Sequence, residues 1–213
     1  MPQFAQPTAV LGVILAGGLG RRLGGDKATR PLAGQPMLAH VIARLAPQFA
    51  PGLLLLNSNG HAVELTHIGL PVIADTVVGR PGPLAGILAA MIAAQDLPGR
   101  PIWVLSAPTD SPFLPFDLVT VLCQRQTETG AAVVLARSDG GLCQVCGLWS
   151  ASLAGALAQS LASGQNKVLD FAAQHGVAEV SFPSQRIGGV DVDPFFNINT
   201  LDDLAAAEKL IGR

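Results

Sequence analysis

The feature that most constrains this chain lies near its start, where an apolar run leads into a glycine-rich, basic loop. The run spans Val10–Leu15, and the loop then supplies five glycines, two arginines and a closing lysine: Gly17, Gly18, Gly20, Gly24, Gly25, Arg21, Arg22 and Lys27. Glycines let backbone N–H groups approach an anion closely, and cations balance phosphate charge. The sequence therefore predicts a buried strand that ends in a phosphate-binding loop.

The two commonest phosphate loops do not fit this stretch. The dinucleotide motif G-x-G-x-x-G needs a third glycine where Leu23 stands. The P-loop motif needs Lys directly after its second Gly and then Ser or Thr, but Asp26 precedes Lys27 and Ala28 follows it. We therefore expect the loop to bind a nucleotide through a third geometry.

Length, composition and charge limit the kinds of protein that this sequence could be. The 213 residues, 49% hydrophobic and 13% charged, suit a single α/β domain with a sizeable core. The net charge of −2 argues against a nucleic-acid binder with a basic surface, and cations that cluster at the loop favour a small anionic ligand. No apolar run is long enough for a membrane span, and residues 1–10 do not resemble a signal peptide, so we expect a cytoplasmic protein.

The three cysteines do not form a disulfide framework. Cys143 and Cys146 make a C-x-x-C pattern inside an apolar run, and Cys123 stands apart. A four-ligand zinc site would need partners that the neighbouring sequence lacks. We interpret the cysteines as structural.

Strand and helix patterns alternate through about residue 135. Predicted strands cover Val10–Leu15 and residues 53–56, 72–74, 102–105 and 131–136. Predicted helices cover Met37–Leu45, a segment with Leu84, Ile87, Leu88, Met91 and Ile92 on one face, and about residues 116–126. This order indicates a doubly wound, mostly parallel sheet with a Rossmann-like nucleotide-binding architecture. We predict one domain over residues 1–213, with residues 9–135 binding the nucleotide and residues 136–213 the acceptor.

The last third is less regular. We predict strands at residues 142–149 and 178–182 and helices at residues 151–161 and 167–174. A final helix begins after Thr200, and Asp203 completes a capping-box pattern. Its apolar side is expected to hold Leu201, Leu204, Ala207 and Leu210.

Polar residues follow the predicted strands at the edge where such folds bind ligands. Asn57, Asp75 and Asp110 follow the second, third and fourth strands, so they should converge on the glycine loop. We expect Asp110 to bind Mg²⁺, with Asp75 either assisting the metal or contacting the nucleotide. Lys27 should reach the α-phosphate and, with Arg22 and Asp110, serve catalysis.

Three asparagines are candidate ligand-binding residues. Asn57 has donors and an acceptor that suit a nucleobase or ribose. Asn197 and Asn199 alternate on an extended segment and should face the same side, towards the second substrate or the edge of the site. Hydrogen bonding in the turn before the last helix is an alternative role for this pair.

No nucleophilic triad is evident, since the histidines are scattered along the chain. This favours a reaction whose nucleophile belongs to the substrate. A phosphomonoester is largely dianionic at neutral pH and needs no general base. It needs cations and in-line geometry instead.

Taken together, the motifs resemble those of the molybdenum cofactor guanylyltransferases within the nucleotidyltransferase superfamily. The matching segments are LAGGLGRRLGGDK at 15–27, NSN at 57–59, VIAD at 72–75, PGPLAG at 81–86, APTDSPFLP at 107–115 and FNINTLDDL at 196–204. Their order and spacing agree along nearly the whole chain. PGPLAG and FNINT are the more family-specific segments.

The resemblance implies a nucleotide-diphospho-sugar transferase-like fold and transfer of GMP from Mg²⁺-GTP to molybdenum-molybdopterin. It implies the following nucleotide-binding residues: Leu15, Ala16, Gly17, Gly18, Lys27, Asn57, Asp75 and Asp110. Pro83, Leu84, Asn197 and Asn199 are candidate acceptor residues. Family members are bacterial cytoplasmic proteins, usually monomers that can self-associate, and other cofactor-biosynthesis proteins, molybdoenzyme apoproteins or chaperones are possible partners.

The chain departs from the family pattern in two places. The loop lacks a residue that many members carry before Asp26-Lys27, and Leu23 replaces the usual Met. Gln144-Val145 stands where members commonly have His-Pro or Gln-Pro. The alternatives are a cytidylyltransferase for the same cofactor, a sugar- or polyol-phosphate nucleotidyltransferase, and a GTP-binding regulator without activity. Ala16-Gly17-Gly18 and Asp26-Lys27 favour guanine over cytosine.

Overall fold

The computed structural model describes residues 10–17, 27–58, 69–77, 82–97, 99–100 and 102–212. The predictions for Gly18 and Arg22, and most of the glycine loop, lie outside these ranges. None of the helices within them is long and apolar enough to cross a bilayer.

The chain alternates strands and helices as the sequence predicts. Its strands are β1 Val10–Leu15, β2 Pro31–Leu32, β3 Gln35–Pro36, β4 Leu54–Asn57, β5 Val72–Ile73, β6 Trp103–Pro108, β7 Val133–Ser138, β8 Gly141–Ser150, β9 Val177–Ser181, β10 Gln185–Ile187 and β11 Val190–Val192. Its α-helices are α1 Met37–Leu45, α2 Pro83–Asp96, α3 Leu118–Thr129, α4 Ala154–Ala162, α5 Val168–Gln174 and α6 Leu201–Ile211.

A seven-stranded sheet forms the centre of the described part, in the order β5-β4-β1-β6-β8-β7-β9. Strand β1 pairs in parallel with β4 and β6, β4 with β5, and β7 with β9. Strand β8 is antiparallel to both β6 and β7. The doubly wound, mostly parallel sheet predicted from the sequence is confirmed.

Helices cover both faces of this sheet because β1 is apolar on both sides. Ile14 packs in a cluster with residues of α1 and α3, whereas Leu11 and Val13 pack with residues of α2, α4 and α5. All three β1 side chains are fully buried, and each stabilises the fold by about 1.5–3 kcal/mol. The buried strand thus fixes where the following loop begins.

Several element boundaries and exposures differ from the sequence predictions. Ile102 precedes β6 and is 60% exposed, and Phe116 precedes α3 and is 63% exposed beneath the Arg44 guanidinium. Ile92 and Leu201 were expected on apolar helix faces but are 39% and 62% exposed. Each lies at the margin of its helix's apolar stripe, where the periodicity gives no sharp boundary.

The sequence did not predict two short hairpins, and both pack against the C-terminal segment. Strands β2 and β3 pair with each other, as do β10 and β11. A third apolar cluster joins these hairpins to the C-terminal segment through Leu32, Val192, Ile198 and Ala207. This cluster brings residues 197–199 next to the turn that carries Asp110.

Candidate active site

A cavity of about 330 Å³ opens at the carboxyl ends of the central strands. Its lining residues come from seven separate parts of the chain: Leu15, Gly17, Asn57, Asp75, Gly82, Pro83, Pro108, Asp110, Val145, Asn197 and Asn199. Parallel strands that end at one edge bring such residues together although they are distant in sequence. The predicted convergence of Asn57, Asp75 and Asp110 is confirmed as geometry, and Gly17 lines the same cavity.

Lys27 contacts two of the residues that line the cavity. Its Nζ donates to Asp110 Oδ2 at 2.8 Å and to Asn199 Oδ1 at 2.5 Å. The Lys27 and Asp110 side chains are only 16% and 19% exposed, so solvent screens this ion pair less than a surface pair. Lys27 therefore lies beside the carboxylate that is predicted to bind the metal.

Asn57 supports the opposite side. The residue is 3% exposed, and its Nδ2 donates to Asp75 Oδ1 at 2.9 Å and, less closely, to Ile73 O at 3.4 Å. The sequence suggested direct contact of Asn57 with a nucleobase or ribose. Both of its amide donations go to Asp75 and to the end of β5, so Asn57 orients the Asp75 carboxylate. Asn57 also lines the cavity, and its contact with the nucleotide stays a prediction.

Each of the two glycines in the PGPLAG segment is required for a different structural reason. Gly82 adopts a φ of 87°, a left-handed conformation that glycine adopts without strain. A Cβ on Gly86 would collide with Asn57 Oδ1 and lie 2.6 Å from Leu15 Cδ2. Gly82 thus turns the chain into α2, and Gly86 lets that helix pack against Asn57.

The candidate acceptor residues divide into lining and buried positions. Pro83, Asn197 and Asn199 line the cavity, whereas Leu84 is fully buried in the core and does not. Ala16 is also buried, and its N–H donates to Asn57 O at 2.8 Å. Asn197 Oδ1 accepts from Ser111 Oγ at 2.5 Å, and Asn199 Oδ1 accepts from Lys27 Nζ. Both asparagines line the cavity, so they face the same side, as predicted.

Val145 reaches the cavity through an irregularity in β8. Leu135 of β7 pairs with Gly147, but the next residue, Ala136, pairs with Cys143, so residues 144–146 bulge from the ladder. Ser106 Oγ donates to Val145 O at 2.8 Å and accepts from Trp149 Nε1 at 2.9 Å. The sequence marked this place only as a departure from the family pattern, and a bulge has no clear periodicity signal.

Cys143 precedes that bulge and Cys146 is its last residue, and both are buried, as the structural interpretation requires. A hydrogen bond from Cys146 lowers the pKa of Cys143, and burial raises the pKa of Cys146. Within the described ranges no cluster of three or more His, Cys, Asp or Glu residues could hold a metal. A hard cation bound through one carboxylate, phosphate oxygens and water remains compatible with Asp110.

The cavity therefore combines two carboxylates and several amides at the strand ends of a doubly wound sheet, and a lysine contacts two of these side chains. Among its described lining residues there is no Ser, Cys or His to act as a covalent nucleophile. This arrangement suits the binding of a metal-complexed polyphosphate. It is the site of a nucleotidyltransferase.

Comparison with known proteins places the chain in one family of that class. The family model for the MobA-like NTP transferase domain matches residues 12–179, so the chain belongs to that family. The molybdenum cofactor guanylyltransferase of Rhodopseudomonas palustris (strain BisB5) is 44% identical over 99% of this chain and 97% of the relative. That of Bradyrhizobium sp. (strain ORS 278) is 45% identical over 95% of this chain and 93% of the relative.

Solved structures support the same fold. Molybdopterin-guanine dinucleotide biosynthesis protein A of Archaeoglobus fulgidus superposes with a TM-score of 0.73 at 24% identity, covering 94% of this chain and 98% of that one. The CTP complex of CMP:2-keto-3-deoxy-manno-octonic acid synthetase superposes with a TM-score of 0.71 at 12% identity, covering 96% of this chain and 99% of that one. This chain thus has the same fold as these two proteins.

Proposed function

We propose that this protein transfers GMP from Mg²⁺-GTP to the terminal phosphate of molybdenum-molybdopterin. The products are the guanine dinucleotide form of the cofactor and pyrophosphate. The observation that carries the proposal is the cavity in which Asp110 and Lys27 face Asn57 and Asp75. Its specificity follows from the guanylyltransferase relatives, which match nearly the whole chain.

The reaction is a direct displacement. A phosphate oxygen of the pterin attacks the α-phosphorus of GTP, the α–β phosphoanhydride bond breaks, and pyrophosphate leaves. The lining offers no Ser, Cys or His in the described residues for a covalent intermediate. Binding and orientation of two anions, with charge stabilisation, account for catalysis in such reactions.

Each side of the cavity has a proposed task. Asp110 holds Mg²⁺, which when bound neutralises part of the phosphate charge. Lys27 leaves Asp110 and binds the α-phosphate, assisted by Arg22. Asp75, held by Asn57, binds the guanosine part together with the backbone at Leu15 and Gly17.

The remaining lining residues form the acceptor side. Pro83 begins α2, so the positive end of that helix points to the anionic substrates. Asn197 and Asn199 supply amide groups for the pterin substrate. Leu84, being fully buried, supports the wall from behind rather than touching a ligand.

A nucleotide panel tests the proposal. The protein is incubated with Mg²⁺, molybdenum-molybdopterin and GTP, CTP, ATP or UTP, and pyrophosphate release is followed. GTP should be turned over fastest, and release should require the pterin. Equal or faster turnover with CTP would overturn the guanine assignment, and GTP binding without pyrophosphate release would indicate a regulator. We expect a cytoplasmic monomer.

A further inference from the structure

The segment before α6 is tied to the turn that carries Asp110. Ile198 is fully buried, and its N–H donates to Asp110 O at 2.9 Å. Asn197 is held by Ser111 on one side of it, and Asn199 accepts from Lys27 on the other. The backbone at 197–199 therefore sets where the Lys27 ammonium group lies.

The first turn of α6 holds Asn199 from the other direction. Asp203 Oδ2 accepts from the N–H of Thr200 at 2.9 Å and from the N–H of Asn199 at 3.0 Å, and Asp203 N donates to Thr200 Oγ1 at 3.1 Å. A capping box requires only the reciprocal pair between Thr200 and Asp203. The bond to Asn199 is additional, and it reaches the residue that contacts Lys27.

We propose that Asp203 is a positioning residue for the transfer reaction: through the backbone of Asn199 it holds the Asn199 side chain against Lys27. The inference rests on the proposed function and assigns a part in it to a residue outside the cavity. The charge of Asp203 favours the same arrangement, since Lys27 and, more strongly, the Asn199 N–H keep the pKa of Asp203 below its usual value.

Holding Lys27 by two acceptors has a consequence for the reaction. When a cation and phosphates engage Asp110, Lys27 loses the carboxylate acceptor but keeps Asn199. The ammonium group then stays near the α-phosphate instead of sampling many rotamers, which preserves the geometry needed for transfer. Releasing Asn199 should therefore weaken catalysis more than folding.

The experiment compares Asp203→Ala with two matched controls. Thr200→Ala removes the other half of the capping box but leaves the Asn199 bond, and Asp202→Ala removes an equal charge from the same exposed turn. We expect Asp203→Ala to lose about tenfold in kcat with the preferred nucleotide. Both controls should stay within about twofold of the wild type, and Asp203→Glu should recover much of the loss because Glu serves this capping position well.

Thermal unfolding separates positioning from stability. Asp203→Ala and Thr200→Ala should lower the Tm by similar amounts because each breaks the same cap, while only Asp203→Ala lowers kcat. Equal kcat in these two variants would overturn the proposal. If Asp203→Ala does not fold, Asp203→Ser, which also removes the carboxylate but keeps a small polar side chain at the start of the helix, takes its place in the same comparison.

A double-mutant cycle closes the test. The double variant Asp203→Ala with Asn199→Ala should be no slower than Asn199→Ala alone, because both changes act through one contact. Additive losses would show that Asp203 acts by another route and would overturn the inference. A wild type that binds GTP but releases no pyrophosphate would instead contradict the proposed function. In that case nucleotide Kd replaces kcat in the same cycle.

Discussion

The two walls of the cavity are built differently. The Asn57–Asp75 wall lies on neighbouring strands β4 and β5, with Asn57 almost completely buried against α2. In the wall of Lys27, Asp110 and Asn199, Lys27 is separated along the sequence by 83 positions from Asp110 and by 172 positions from Asn199. The ion pair between Lys27 and Asp110 is partly exposed to solvent. The first wall is packed into the core, whereas the second is held by polar contacts at the rim.

This difference divides the work of the site. A buried amide that orients a carboxylate gives a fixed surface for recognition, because packing leaves it little freedom. An ion pair at the rim can exchange partners when phosphates arrive. We therefore propose that the packed wall recognises the nucleoside and that the polar wall rearranges during transfer.

The largest effect should come from breaking the polar wall. Asp110→Asn and Lys27→Ala should each reduce kcat/KM by at least about 100-fold, as does loss of a group that stabilises transition-state charge. Steady-state pyrophosphate release measures this. Asp117→Asn, an exposed acid a short distance along the chain with no side-chain capping bond, is the control and should behave as wild type. Wild-type turnover by Asp110→Asn would remove the metal assignment.

A smaller effect should come from displacing the packed wall without removing a polar group. Gly86→Ala places a methyl group against Asn57 Oδ1 and Leu15, so we expect a loss of about 1–3 kcal/mol in the free energy of unfolding. Affinity for GTP should fall as well, since Asp75 loses its fixed partner. Urea unfolding and nucleotide titration measure the two effects.

The control is a second helical glycine. Gly155 in α4 has open space around its Cβ position and no positive φ. Gly155→Ala should therefore stabilise the protein by about 0.5–1 kcal/mol without affecting GTP affinity. If Gly86→Ala were equally benign, the packed wall would tolerate movement and the contrast between the walls would be lost.

The same contrast explains what the sequence could predict. Strand periodicity and polar residues at strand ends predict which side chains meet at one edge of the sheet. They therefore predicted the packed wall of Asn57 and Asp75 and the position of Asp110 in the polar wall. The contacts of Lys27 with Asp110 and Asn199 depend on how residues far apart in sequence pack, and periodicity carries no information about them. The hydrogen bond from Asn57 to Asp75 could not be predicted for a related reason, because it is set by tertiary structure.

Two further features escaped prediction because their signals are local exceptions to a pattern. The bulge at 144–146 brings Val145 into the cavity by interrupting the β7–β8 ladder. Each strand of the β10–β11 hairpin has only three residues. Such a strand is too short to show the alternation of apolar and polar residues that predicts a strand. The capping box of Thr200 and Asp203, in contrast, was predicted from residue spacing alone and is confirmed. Its link to Asn199 needed the structure.

The smallest effect should come from breaking an ion pair outside the cavity whose N···O distance is similar to that of Lys27 and Asp110. Arg137 Nε lies 2.7 Å from Glu179 Oε2 across β7 and β9, compared with 2.8 Å for Lys27 and Asp110, but both its side chains are more than 40% exposed. Exposed pairs contribute about 0–1 kcal/mol, so Arg137→Gln should shift the Tm slightly and leave kcat unchanged. A loss of activity comparable to that of Lys27→Ala would mean that ion pairs act through general stability. An unchanged kcat in Arg137→Gln would indicate that the activity lost in Lys27→Ala depends on the position of Lys27 at the site.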